Sequence, residues 1–159
     1  MTRLICSLLL ALAFAGCATM TAGGRGDAVE EVHLFGLPAT LNLDNKPGAD
    51  GFGVRVFIAK SGSVKGAALQ SGSLEILMFD GVLGAAEAAK QTPQQVWKFT
   101  AHELEPYRDQ SSLGVGYQLT LRWNEAPKLQ HITAVARYVP PKGAPVYSAP
   151  SAISSAAAK

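Results

Sequence analysis

Apolar and polar residues alternate through much of this chain at the two-residue period of half-buried strands with one wet face. Tyr117, Leu119, Leu121 and Trp123 alternate with Gln118, Thr120 and Arg122. Ile132, Ala134, Ala136 and Tyr138 alternate with Thr133 and Arg137. Earlier, Val54, Val56 and Ile58 share a face that Arg55 leaves, and Leu74, Ile76 and Met78 alternate with Glu75 and Leu77. Weaker strand patterns cover residues 31–35, 39–43, 96–101 and 145–147. Turn chemistry separates them: Asn45-Lys46-Pro47-Gly48 and Asp50-Gly51, Ser61-Gly62, Asp80-Gly81, Ala126-Pro127, and Pro140-Pro141-Lys142-Gly143. Residues 82–90 are Ala-rich and predict one short helix ending before Thr92-Pro93, while residues 102–113, with Pro106 and two serines, predict a long loop. About seven or eight short strands divided by such turns predict an all-β domain. The expected form is a two-sheet antiparallel sandwich of immunoglobulin-like or transthyretin-like topology with at most one short helix. Trp97 and Trp123 are expected as core anchors, because a sandwich without disulfides needs the area that aromatic side chains bury.

The amino terminus is different in kind. Arg3 precedes an apolar run over residues 4–15, broken by Ser7, and then come Ala15, Gly16 and Cys17. A basic start, a short apolar stretch and small residues before a cut mark a secretory leader. A spanning helix would need roughly 20 apolar residues. Phe14-Ala15-Gly16-Cys17 resembles a lipobox, the site of lipoprotein signal peptidase, with Phe where Leu is usual. The resemblance implies cleavage before Cys17, a diacylglyceryl thioether and an N-acyl chain on that cysteine, and attachment to a lipid bilayer. Ala18 in the next position implies sorting to the outer membrane, facing the periplasm. The rival reading is an ordinary signal peptide cut near Ala15 or Ala18. The expected organisation is a leader over 1–16, a lipidated cysteine and flexible tether over 17–30, a β-sandwich over 31–147, and a disordered Ser/Ala tail over 148–159.

Composition narrows the function classes. The chain has 14 Lys and Arg against 12 Asp and Glu, and Arg3 leaves with the leader. A nearly neutral product carries no electrostatic footprint for nucleic acid. Its two cysteines are Cys6 and Cys17, so loss of the leader removes any intramolecular disulfide. Arg25-Gly26-Asp27 matches an integrin-read tripeptide, and a match this short in a Gly-rich linker is read as coincidence.

Catalytic patterns do not emerge. His33, His102 and His131 lie in separate elements without a metal-ligand spacing. His102-Glu103 lacks the second histidine of a zincin helix, and Gly62-Ser63 and Gly72-Ser73 lack the second glycine of a nucleophile elbow. Gly114-Val115-Gly116 leads into a strand, where a dinucleotide fingerprint must open a helix. The expectation is therefore no enzyme, no cofactor and no metal. The candidate binding loop is residues 42–51, where Asn42, Asp44, Asn45 and Asp50 offer oxygens close together. The run lacks the EF-hand spacing, and Asx side chains bonding their own backbone account for it without calcium.

Two resemblances extend this reading. Leu41-Asn42-Leu43-Asp44, a Gly/Pro turn and Val54-Arg55-Val56-Phe57 are similar to the early strands of the outer-membrane lipoprotein of the type VI secretion membrane complex. That family implies a transthyretin-like sandwich docking an envelope partner through its loops. The strand from Tyr117 to Trp123 resembles one in β-sandwich lipoproteins of no assigned function. The expected function is a membrane-anchored, non-catalytic binding or assembly module of the cell envelope, with a protein partner at strand edges or at loops 42–51 and 102–113. The alternatives are an accessory lipoprotein of a type VI-like secretion complex, and a glycan or small-ligand binder using exposed aromatics, with Tyr107 and Phe52 the candidates.

Overall fold

The computed structural model describes residues 28–44 and 46–155. The strands are β1 (Val29–Leu41), β2 (Gly51–Lys60), β3 (Ser73–Asp80), β4 (Gln95–Thr100), β5 (Arg108–Ser111), β6 (Gly114–Arg122), β7 (His131–Val139), β8 (Val146–Tyr147) and β9 (Ser151–Ser154). Single helical turns lie at α1 (Ala85–Ala88) and α2 (Ala101–Leu104), the second running into a 3-10 turn over Glu105–Tyr107. No helix among the described residues is long and apolar enough to cross a membrane.

The protein is mostly β, as its alternation predicts, but the strands form one continuous mixed sheet curled into a half-barrel. The order is β4-β3-β7-β9-β1-β2-β6-β5, with β8 also on β7. Pairing is antiparallel except where Ala39 of β1 meets Ser154 of β9 in parallel. The two weak strand patterns at 31–35 and 39–43 are a single strand, β1. Its register with β2 slips between Gly36 and Thr40, which pair with Val54 and Phe52. Pro38 lies in that slip, where the missing N–H leaves no ladder bond broken. A bulge of this kind bends a strand, and here β1 passes from β2 to β9 so that one sheet serves both sides of the core.

The carboxy-terminal segment departs most from expectation. Residues 148–159 read as a disordered tail, yet Ser151–Ser154 form a strand between β7 and β1, and Ile153 is wholly buried. Small Ser and Ala side chains fit this crowded position, and one isoleucine supplies the apolar anchor. Among the described residues the strands thus reach beyond the expected 31–147 on both sides, from Val29 in β1 to Ser154 in β9. Residues 102–113, expected as a loop, carry α2, the 3-10 turn and β5. Thr100 starts α2 with a capping box: its hydroxyl accepts from Glu103 N at 3.3 Å, and Glu103 Oε2 accepts from Thr100 N at 2.7 Å.

Val54, Val56, Tyr117, Leu119, Leu74, Ile76, Ile132 and Ala134 meet in one core drawn from both halves of the curl. Trp97 and Trp123 flank Phe52, with ring centroids 5.4 and 6.3 Å away. Trp97 Nε1 also donates to the Arg122 carbonyl at 3.2 Å, and Gln95 Nε2 to the same oxygen at 3.3 Å. Edge strand β4 is in this way tied across the open mouth of the sheet to the end of β6. Phe52, expected as an exposed ligand platform, is fully buried in this cluster.

Candidate functional site

Strand β3 is buried along both faces, which simple alternation does not require. Even-numbered residues enter the main core. The odd-numbered ones form a second apolar cluster, in which Leu77, Phe79 and Val135 pack with Leu83 and Ala88. The register sets Leu77 beside Val135 and Glu75 beside Arg137 on this outer face. The connection from β3 to β4 crosses over it. Thr133 pins that crossing, accepting from Leu83 N at 2.9 Å and donating to the Gly81 carbonyl at 2.8 Å.

Cover is incomplete because α1 presents alanines. Between that helical turn and the segment around Tyr147 and Pro150 lies a groove of about 410 Å³, within the usual range for small-molecule sites. Leu77, Phe79 and Val135 form its floor, and Ala85, Ala88 and Ala89 form one wall. Tyr147, Ser148 and Pro150 form the opposite wall. Ser148 is fixed to β7, its backbone N donating to the Ala136 carbonyl at 2.8 Å and its hydroxyl accepting from Ala136 N at 2.9 Å.

One end of the groove is charged. Arg137 Nε donates to Glu75 Oε2 at 2.7 Å, and Nη2 stands 2.5 Å from the same oxygen. Lys98 Nζ lies 3.7 Å from Glu75 Oε1. The Glu75 side chain is only 9% exposed and lies between these two cations. The Arg137 guanidinium also sits over the Tyr147 ring, 5.9 Å from the centroid. Burial works against its charge, but hydrogen bonds to Tyr147 and Glu75 and the Glu75 charge outweigh it and raise its pKa above the ordinary arginine value.

Loop 42–51 is a braced turn. Asp44 N donates to Asn42 Oδ1 at 3.3 Å, and Lys46 N to Asp44 Oδ1 at 3.0 Å. Asn42 Nδ2 donates to the Lys46 carbonyl. Asp50 Oδ1 accepts from Leu43 N at 2.6 Å, while Oδ2 accepts from Arg122 Nε at 3.0 Å and from Nη2. Arg122 Nη2 lies 3.4 Å from Asp44 as well. Desolvation would raise the Asp50 pKa, but the Arg122 hydrogen bond, the Leu43 N–H and the Arg122 charge bring it below its usual value. The oxygens of Asp44 and Asp50 thus turn toward Arg122 and loop N–H groups. Asn45 lies outside the described residues, as do Cys17, the lipobox and Arg25-Gly26-Asp27. Among the described residues no three His, Cys, Asp or Glu side chains gather as metal ligands.

The two loops expected to contact a partner, 42–51 and 102–113, both border β6. Ser111 pairs with Gly114 and Gly51 with Arg122, so the end of β5 and the start of β2 mark the two ends of β6. Tyr107 is partly exposed and packs on Phe99 at 6.0 Å, also away from Phe52. The sequence reading missed the groove, although Leu77 and Phe79 on the nominally wet face of β3 were its signal.

No family model, curated protein or solved structure matches the chain.

Proposed function

We propose that this chain is a lipoprotein held at the bacterial outer membrane through acylated Cys17, and that it works as a non-catalytic binding module of the cell envelope. The groove between α1 and Tyr147 is its receptor surface. In this reading the two halves of the curled sheet act as the layers of a sandwich joined through β1 and β9, a rigid scaffold for the site. The observation that carries the proposal is the apolar floor of Leu77, Phe79 and Val135, left open beside the alanines of α1 and bordered by Arg137, which Glu75 holds in place. Small-molecule sites combine these features: apolar lining for affinity and few fixed polar groups for orientation. The groove favours a small ligand over an assembly partner, because both edges of β7 are already paired, with β3 on one side and β8 and β9 on the other. A partner strand cannot add there.

The test is mass spectrometry of the protein purified from native membranes. Intact mass should show a chain beginning at Cys17 with acyl chains attached, lost in Cys17→Ala. Solvent extraction should release a small molecule from the wild type and much less from Ala89→Trp, which fills the groove from its exposed wall. An unmodified cysteine contradicts the anchor, and equal yields from both proteins contradict the receptor surface.

A further inference from the structure

We infer that the groove takes an amphipathic anion: an alkyl or aryl group bearing a carboxylate, sulfonate or phosphate, its apolar part over Leu77 and Val135 and its head at Arg137 beside Tyr147, with the Lys98 charge two strands from Arg137. The inference rests on the receptor reading above and adds the chemical class of the ligand.

Charge gathers beside the groove at Arg137. Arg137 and Lys98 contribute two positive charges, and Glu75 one negative charge. Glu75 is held between them by its burial and by the Arg137 fork, so the cluster carries one net positive charge wherever all three are ionised. Arg137 spends Nε and Nη2 on Glu75 and a further N–H on Tyr147, which leaves two of the five N–H donors of its guanidinium. Its stacking on Tyr147 and the Glu75 contact fix the plane of that guanidinium at the groove wall. The N–H groups that remain lie in the same fixed plane, and pre-oriented guanidinium donors of this kind recognise oxyanions.

The competing occupants fit less well. A neutral apolar molecule long enough to fill the groove would strip water from the Arg137 end without replacing its hydrogen bonds. A cationic amphiphile would bring a like charge against the net positive cluster. An extended peptide would find no open strand edge on the groove floor, since β7 is paired on both sides. An anionic head group supplies the missing negative charge, while its tail covers the floor.

Two dyes that share a ring system separate these cases: the anionic 8-anilinonaphthalene-1-sulfonate and the neutral N-phenyl-1-naphthylamine. The protein is the chain from residue 17 on, carrying Cys17→Ala and purified without detergent, and each dye is titrated by fluorescence. Both should bind the wild type, and Ala89→Trp should weaken both. Lys98→Met should weaken only the sulfonate, by about twofold, since it removes an exposed charge two strands from the head. Arg137→Gln should weaken the sulfonate about tenfold or more. Glu75→Gln should tighten the sulfonate and leave the neutral dye unchanged, a change of opposite sign that loss of folding cannot imitate. If neither dye binds the wild type, the receptor reading fails and this inference with it. If both bind, and the three charge variants move both dyes alike or neither, the receptor reading stands and the anion inference is overturned.

Discussion

Ile153 occupies the space that a side chain on Gly36 would need: a Cβ there would lie 2.6 Å from Ile153 Cγ1 and 3.0 Å from Ser151 Oγ. Gly36 N also donates to Ser151 Oγ at 3.2 Å. The close approach of β1 to β9 closes the curl of the sheet, and it depends on the absence of a side chain at one position and the presence of a buried isoleucine at the other.

The two residues should therefore be energetically coupled. Ile153→Ala should cost about 2–5 kcal/mol of unfolding free energy, and Gly36→Ala about 1–3 kcal/mol through overpacking. In the double variant the shortened side chain leaves room for the new methyl group. Denaturant unfolding should show the double loss smaller than the sum of the single losses, whereas simple additivity would disprove the contact.

Tyr117 poses a separate question inside the core. Its ring is fully buried and its hydroxyl accepts from Leu69 N at 2.7 Å, the polar anchor for the strand-free segment before β3. Burial raises the phenol pKa, and the Leu69 N–H opposes that rise. Tyr117→Phe removes the acceptor but keeps the ring, leaving a buried N–H unsatisfied. The expected cost is about 1–3 kcal/mol, with faster amide exchange at Leu69 as the local readout. Unchanged exchange at that amide would contradict the bond.

Acid should weaken the brace between Asp50 and Arg122. The folded Asp50 pKa lies below its ordinary value of 3.8. The unfolded chain therefore takes up this proton first as pH falls. The stabilisation is complete above the ordinary value and is lost as pH drops through the lower folded value. Glu103, lowered mainly by the Thr100 N–H and hydroxyl of the capping box, acts in the same direction from its ordinary 4.5. Asp50→Asn should flatten the acid limb of the stability profile, and Glu103→Gln should flatten its upper part. An acid limb unaltered by both substitutions would contradict these assignments.

The strands that alternate cleanly were legible because one face of each meets the common core. Val54, Val56, Tyr117, Leu119, Ile132 and Ala134 all point inward as their spacing predicts. Strand β9 was hidden by composition: Ser151, Ala152 and Ser154 look like tail residues, and their fit depends on the long-range gap between β7 and β1. The start of α2 was readable in principle, since Thr100 and Glu103 have capping-box spacing. In loop 42–51 the Asx turns were visible in the residue types. The Arg122 partner was not, because it arrives through the pairing of Gly51 with Arg122. The groove needs four segments, β3, α1, β7 and residues 147–150, so no local pattern could announce it.

The most direct test of the groove is methyl-resolved NMR on the chain from residue 17 on, carrying Cys17→Ala and titrated with N-phenyl-1-naphthylamine. The methyl groups of Leu77, Val135, Ala85 and Ala89 should shift together and saturate with a single affinity, while those of Leu37, Val64 and Leu113, on other surfaces, stay in place. Shifts centred on those remote residues, or no saturable shift at Leu77 and Val135, would contradict the assignment of the groove as the binding site.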